Sequence, residues 1–299
     1  MLISTNMIKS VSFLILSILL STSAPCAFAD FSLIVPFTAG GAFDKQARAY
    51  ANYVTKTTNE KVTVENIVGA GSIVGTKSLI RSDDNVALFT SSSFFHNIVD
   101  DIFKKEDFRL ASVIGISPYT LVSTTTKNVS CEDIKDKNKK FFIGTAGKGS
   151  ASDTAALLMT TKYQNFTLVP YKGISQVYVD LLTGRIDFTF IAGAVTRDDV
   201  NVITTTTNHN FYKGTSNWKS CLDLDINYFT EYLIIVKSNS SNEFVRKINS
   251  LALEYVNNTI VKEQLKQEGI KPVLHIYNEL DTYYSTSMSN WKRILKTHN

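Results

Sequence analysis

The sequence predicts an α/β fold arranged as two similar lobes. Two patterns carry that expectation: short apolar strands alternate with amphipathic helices, and a strand–glycine loop–helix unit occurs twice. Phe31–Pro36 is an apolar run suited to a buried strand, and the loop Phe37-Thr38-Ala39-Gly40-Gly41 follows it. Phe43, Ala47, Tyr50, Ala51 and Val54 then recur at helical spacing and lay one apolar stripe along a helix. Lys61–Glu65 alternates as a strand does, Gly69-Ala70-Gly71 turns the chain, a helix runs from Ile73 to Ile80, and Val86–Thr90 is a third strand ending in Ser91-Ser92-Ser93. The pattern restarts with the strand Lys140–Gly144, the loop Thr145 to Ser150 and a helix beginning at Ala151. Strands at Thr167–Pro170 and Ile186–Ile191 flank a helix at Val177–Leu182. AGGAFD at 39–44 and AGKGSASD at 146–153 thus occupy equivalent places, each with an aspartate in the first helical turn. The remainder reads as a strand at Tyr232–Val236 and helices at Phe244–Val256, Val261–Glu268 and Leu280–Leu295, with the chain crossing back to the first lobe near Leu224–Leu233.

Residues 1–29 carry an export signal. Lys9 is the only charge before Asp30, Val11–Leu20 is almost wholly apolar, and Ala27-Phe28-Ala29 puts small residues at −3 and −1 of a cleavage site. That apolar core is about half of the ~20 residues a spanning helix needs, so a signal peptide cleaved after Ala29 is expected rather than an anchor. A formal charge of +4 spread over 299 residues, without a basic block, speaks against nucleic acid or an anionic membrane as partner. Cys26 leaves with the signal. Cys131 and Cys221 remain in a compartment that permits disulfides, and a bridge or two free thiols both stay open. Neither cysteine lies in C-x-x-C, and His96, His209, His275 and His298 are scattered without H-E-x-x-H, so no metal is expected.

The two glycine loops are candidate anion sites. The first N–H groups of a helix have no internal partner, the helix dipole adds positive character there, and glycine lets a ligand approach the backbone. Either loop alone is a plain turn in many α/β proteins; two equivalent ones in an exported chain point to a ligand. Nucleotide readings fail on spacing. In GTAGKGS (144–150) Lys148 precedes Gly149 where a P-loop needs lysine after its second glycine, and GAGSIVG (69–75) is one residue too long for the dinucleotide fingerprint. No cofactor is expected. There is no G-x-S-x-G elbow, and Ser150 has no histidine near it in sequence, so a hydrolase remains a minor alternative.

IVPFTAGGAFD (34–44), VENIVGAGSIVGTKSL (64–79), TSSSFFHN (90–97), FIGTAGKGSASDTAALL (142–158) and VPYKGISQVYVDLLTGRIDFTF (169–190) resemble, in order, motifs of the tripartite tricarboxylate transporter receptors, the TctC/Bug family. The resemblance implies a periplasmic, two-lobed type II binding protein of the Venus-flytrap kind, each lobe a mixed, mostly parallel sheet flanked by helices. It implies residues 30–125 plus 225–299 in lobe 1 and 126–224 in lobe 2, and it implies a monomeric binder, not an enzyme. A small organic carboxylate would be held by the backbone of Thr38, Ala39, Gly40 and Gly41 and by Thr145, Ala146, Gly149 and Ser150. Ser91 and Ser92 would line the cleft; Asp44 would orient its loop or meet a ligand amine; Tyr171 and Asp187 would wall or scaffold the second lobe. Membrane permease subunits are the implied partners, with a sensing role as the alternative. Thr38 stands where the family has proline, Val195–Phe229 lacks the family's usual segment, and FTEYLIIV (229–236) replaces its aromatic-glycine crossover.

Overall fold

The computed structural model describes residues 31–127, 129–195, 198–207 and 212–296. The export signal therefore lies outside the described residues. The first half of the chain builds β1 (Phe31–Val35), α1 (Ala42–Thr58), β2 (Val62–Asn66), α2 (Ile73–Arg81), β3 (Val86–Thr90), α3 (Ser93–Val99) and β4 (Phe108–Thr124). Next come α4 (Cys131–Lys135), β5 (Phe141–Thr145), α5 (Ala151–Thr160), β6 (Phe166–Pro170), α6 (Ile174–Leu182), β7 (Phe188–Ala192), β8 (Val200–Thr205) and α7 (Trp218–Leu222). The chain finishes with β9 (Phe229–Lys237), α8 (Asn242–Asn257), α9 (Thr259–Gln267), β10 (Lys271–Pro272) and α10 (Leu280–Lys296).

Each lobe follows from its hydrophobic pattern. β1 is buried along nearly its whole length, as a strand between two parallel neighbours must be, and it pairs in parallel with β2 and β3. β2 alternates between half-buried and exposed residues and sits at the sheet edge. In the second lobe β5 takes the central place, parallel to both β6 and β7. The stripe Phe43, Ala47, Tyr50, Ala51 and Val54 of α1 is buried as the spacing predicts, in a core shared with Ile248 and Tyr255 of α8. Several boundaries move for local reasons. β1 ends at Val35 because Pro36 has no N–H to donate. α6 starts at Ile174, directly after Gly173. β7 starts at Phe188, and the preceding Asp187 N–H donates to the Phe142 carbonyl of β5 at 2.8 Å.

One strand belongs to both lobes. The first part of β4 pairs antiparallel with β9, from Phe108 opposite Lys237 to Pro118 opposite Phe229. From Tyr119 onward β4 pairs instead with β7, and from Thr120 with β8. The strand order β2-β1-β3-β9-β4-β7-β5-β6 is therefore continuous across the molecule. Two bulges, between Leu110 and Ser112 and between Val113 and Gly115, interrupt the register of β4 within the part that pairs with β9. The result is a two-lobed α/β fold with a mixed sheet flanked by helices. Among the described residues no helix is long and apolar enough to cross a membrane, and no cluster of histidine, cysteine and acidic side chains has the makings of a metal site.

Candidate ligand-binding cleft

A cavity of about 470 Å³ opens where the two glycine loops face one another. Its wall includes Thr38, Gly40 and Gly41 from the first loop, Ala146 and Ser150 from the second, and Ser91 after β3. Three aromatic rings form one side: Phe37 stacks on Phe43, and Phe43 on Tyr232, each pair with centroids 4.6 Å apart. Tyr119, Phe190 and Tyr178 add further aromatic surface. Three charged residues line the cavity: Lys45, Lys172 and Glu268. Neither lysine pairs with a described acidic residue.

The two loops are built alike. The Gly40 N–H donates to an Asp44 carboxylate oxygen at 2.8 Å, and the Gly149 N–H donates to an Asp153 carboxylate oxygen at 3.0 Å. In each case an aspartate in the first helical turn folds back four residues and fixes a glycine in the left-handed region, at φ +79° for Gly40 and +77° for Gly149. Burial by itself would raise the Asp44 carboxyl. Hydrogen bonds from Arg48, the Gly40 N–H and Asn66 outweigh it and hold the group below the usual carboxylate range. In the second lobe Thr145 donates to Asp153 at 2.9 Å.

With those N–H groups consumed, the donors that face the cavity lie one step further along. α1 begins after Gly41 with no side-chain cap, so its first N–H groups, at Ala42 and Phe43, have no described acceptor. α5 is capped by Ser150, whose hydroxyl accepts from the Asp153 N–H and shares a hydrogen bond with the Ser152 hydroxyl, while the N–H groups of Ala151 and Ser152, on the same cavity, have no described acceptor. These four positions were missed from sequence, although the absence of a capping side chain at Gly41 was a readable signal for the first two.

Of the residues expected at the site, the structure gathers Thr38, Gly40, Gly41, Ser91, Ala146 and Ser150 around the cavity. Ala39, Asp44, Ser92, Thr145, Gly149, Tyr171 and Asp187 do not line it. Asp44, Thr145 and Gly149 are the loop clamps just described, and Ala39 faces solvent. The Ser92 hydroxyl donates to buried Glu231 at 2.8 Å; Tyr283, Ser287 and Trp291 of α10 donate to the same carboxylate. Tyr171 donates to Asp180 at 2.7 Å and packs behind the second loop. Asp187 accepts from the Phe142 N–H at 2.7 Å and from Lys127, holding the edge of β5. Ser150 has no catalytic partner among the described residues: His96 meets Thr154, and His275 meets Glu279. Cys131 and Cys221 are joined in a disulfide with Cα atoms 5.3 Å apart.

Glycines also let the lobes touch around the cavity. A Cβ on Gly71 would lie 2.9 Å from the Lys148 carbonyl oxygen, one on Gly173 would lie 3.1 Å from the Thr38 methyl, and one on Gly193 would lie 2.6 Å from the Glu268 carbonyl oxygen. The two lobes therefore meet at three points around the cavity.

The NMT1-like family model matches residues 38–292. The chain is 32% identical over 173 residues to the "UPF0065 protein in the TAR-I ttuE-ttuC' intergenic region" of Agrobacterium vitis, across 52% of this chain and 49% of that one. It is 31% identical over 166 residues to Protein BugT of Bordetella pertussis, across 51% of each. The chain spans about half the length of the curated relatives it matches. Among solved structures, R. palustris Rpa4515 with adipate superposes with a TM-score of 0.82 at 17% identity, over 91% of this chain and 97% of that one. The periplasmic binding protein BugD gives 0.82 at 20% identity, over 91% and 98%. MatC from Rhodopseudomonas palustris with bound malate gives 0.76 at 15% identity, over 89% and 99%. At those identities the likeness is one of fold, while the family match covers most of the sequence: the chain belongs to the NMT1-like family, and its Bug homologues and fold neighbours bear out the resemblance to the TctC/Bug solute-binding proteins.

Proposed function

We propose that this protein is an exported, periplasmic receptor that captures a small organic carboxylate, a di- or tricarboxylate or an acidic amino acid, between two lobes. Residues 30–125 plus 225–299 form one lobe in this reading, and 126–224 form the other. The observation that carries it is the meeting of two helix starts, α1 and α5, at one cavity, where the N–H groups of Ala42, Phe43, Ala151 and Ser152 have no acceptor among the described residues. A carboxylate there accepts charge-assisted hydrogen bonds without an obligatory arginine. Lys45 and Lys172, which line the cavity without a described acidic partner, add positive charge there. Two proteins of the same fold carry adipate and malate, which supports a carboxylate as the ligand class.

Closure would fold the carboxylate between the loops and present the joined lobes to permease subunits as a monomer. Calorimetric titration of the purified protein with dicarboxylates, tricarboxylates and acidic amino acids tests the reading directly. Saturable binding of at least one of them is expected; no heat and no thermal shift with any carboxylate would overturn it.

A further inference from the structure

Glu268 is an anion on the wall of a cavity otherwise suited to anions. It follows α9, at the point where the C-terminal segment of the first lobe meets Gly193 and Ala194 of the second; its carbonyl accepts from the Ala194 N–H at 2.8 Å. The residue is exposed, yet its side chain is tied to the protein. One carboxylate oxygen is held by the amide of Gln46, which is itself only 2% exposed on the inner face of α1. No described residue donates to the other oxygen, and no described lysine or arginine pairs with the group. After burial and the neighbouring Tyr119 and Tyr212 rings, the Glu268 charge also helps to keep the Tyr232 hydroxyl protonated, which sets the carboxylate near a ring of the cavity wall.

A fixed, half-satisfied carboxylate at the edge of a closing cleft discriminates between ligands. A second ligand carboxylate placed beside it meets like charge, whereas a ligand amine supplies both the missing donor and an opposite charge. We propose that Glu268 is a specificity-determining residue, which selects for carboxylates that also carry a protonated amine and against the matching plain dicarboxylates. This rests on the carboxylate-capture reading, with one carboxylate at the helix starts and the amine toward Glu268.

The test compares matched ligands, glutamate against glutarate and aspartate against succinate, by calorimetry on the wild-type protein and on Glu268→Gln. The glutamine keeps an acceptor for Gln46 and removes the charge. The wild type is expected to favour the amine-bearing member of a pair by about fivefold or more. Glu268→Gln should reduce that preference to near unity, chiefly by weakening the amine-bearing ligand, with an unchanged melting temperature. An equal preference in both proteins, or a wild type that favours the plain dicarboxylate, overturns the role of Glu268 while leaving carboxylate capture standing. If none of the four ligands binds the wild type, this proposal falls, and capture itself is then judged by the wider carboxylate series.

Discussion

His96 lies on α3 of the first lobe, only 3% exposed, with its ring against the edge of Trp291 and its imidazole hydrogen-bonded to Thr154 of α5 in the second lobe. From sequence it is one of four scattered histidines; in the fold it is a contact between lobes. Burial drives its pKa down from 6.5 to about 3, because a charged ring there would lose its water. Below pH 6.5 the unfolded chain takes up this proton and the folded chain does not. The associated stability is therefore complete above that pH and is lost as pH falls toward 3. Over the first pH unit below 6.5 the wild type should lose about 1 kcal/mol of unfolding free energy that a His96→Gln variant does not lose. Urea denaturation at a series of pH values reads this; parallel curves for the two proteins would remove His96 as the cause.

α4 and α7 show how very short helices persist. Each has five residues, too few to stand alone, and each is closed at its start by a capping box, Ser130 with Asp133 and Asn217 with Ser220. The Cys131–Cys221 bridge ties the two together. It closes a loop of about ninety residues, so replacing both cysteines with serine should lower the unfolding free energy by about 2–4 kcal/mol. Chemical denaturation measures the loss, and two free thiols in the mass spectrum of unreduced protein would contradict the bridge. β4 is the longest of the elements that the sequence reading passes over, with α3, α4, β8 and α7 among the others. Its seventeen residues exceed an ordinary strand, and Gly115 and Pro118 interrupt the run where a strand reading would stop. The interruptions have uses in the fold. A Cβ on Gly115 would come within 2.7 Å of Ile270 and of the Lys271 carbonyl oxygen, and Pro118 stands where β4 passes from one lobe's sheet to the other's.

At the scale of the whole molecule, closure depends on backbone meeting backbone. Gly71 has φ +58°, and its missing side chain lets the loop before α2 rest on Lys148 and Gly149 of the other lobe. Gly71→Ala adds a methyl group where there is no room for it, in a conformation that costs about 1–2 kcal/mol for an L side chain. Affinity for a bound carboxylate should fall about tenfold, more than the loss of stability in the ligand-free protein accounts for. Calorimetry and thermal melts on the same variant separate the two effects. An unchanged affinity would show that closure does not require this approach.

The sequence by itself determined the alternation of strands and helices, the repeated glycine loop and the family, because these are local: periodicity, turn chemistry and motif order act over a few residues. It also marked the loops that make the cleft. Only the tertiary structure decided which groups face the ligand space. The Gly40 and Gly149 N–H groups were candidate donors, yet Asp44 and Asp153 take them, and the open donors belong to Ala42, Phe43, Ala151 and Ser152. Glu268 carries no motif and lies more than two hundred residues from Gln46, which holds it. Its place on the cavity wall arises from the return of the C-terminal segment to meet Gly193 and Ala194, a long-range packing event that no local pattern encodes.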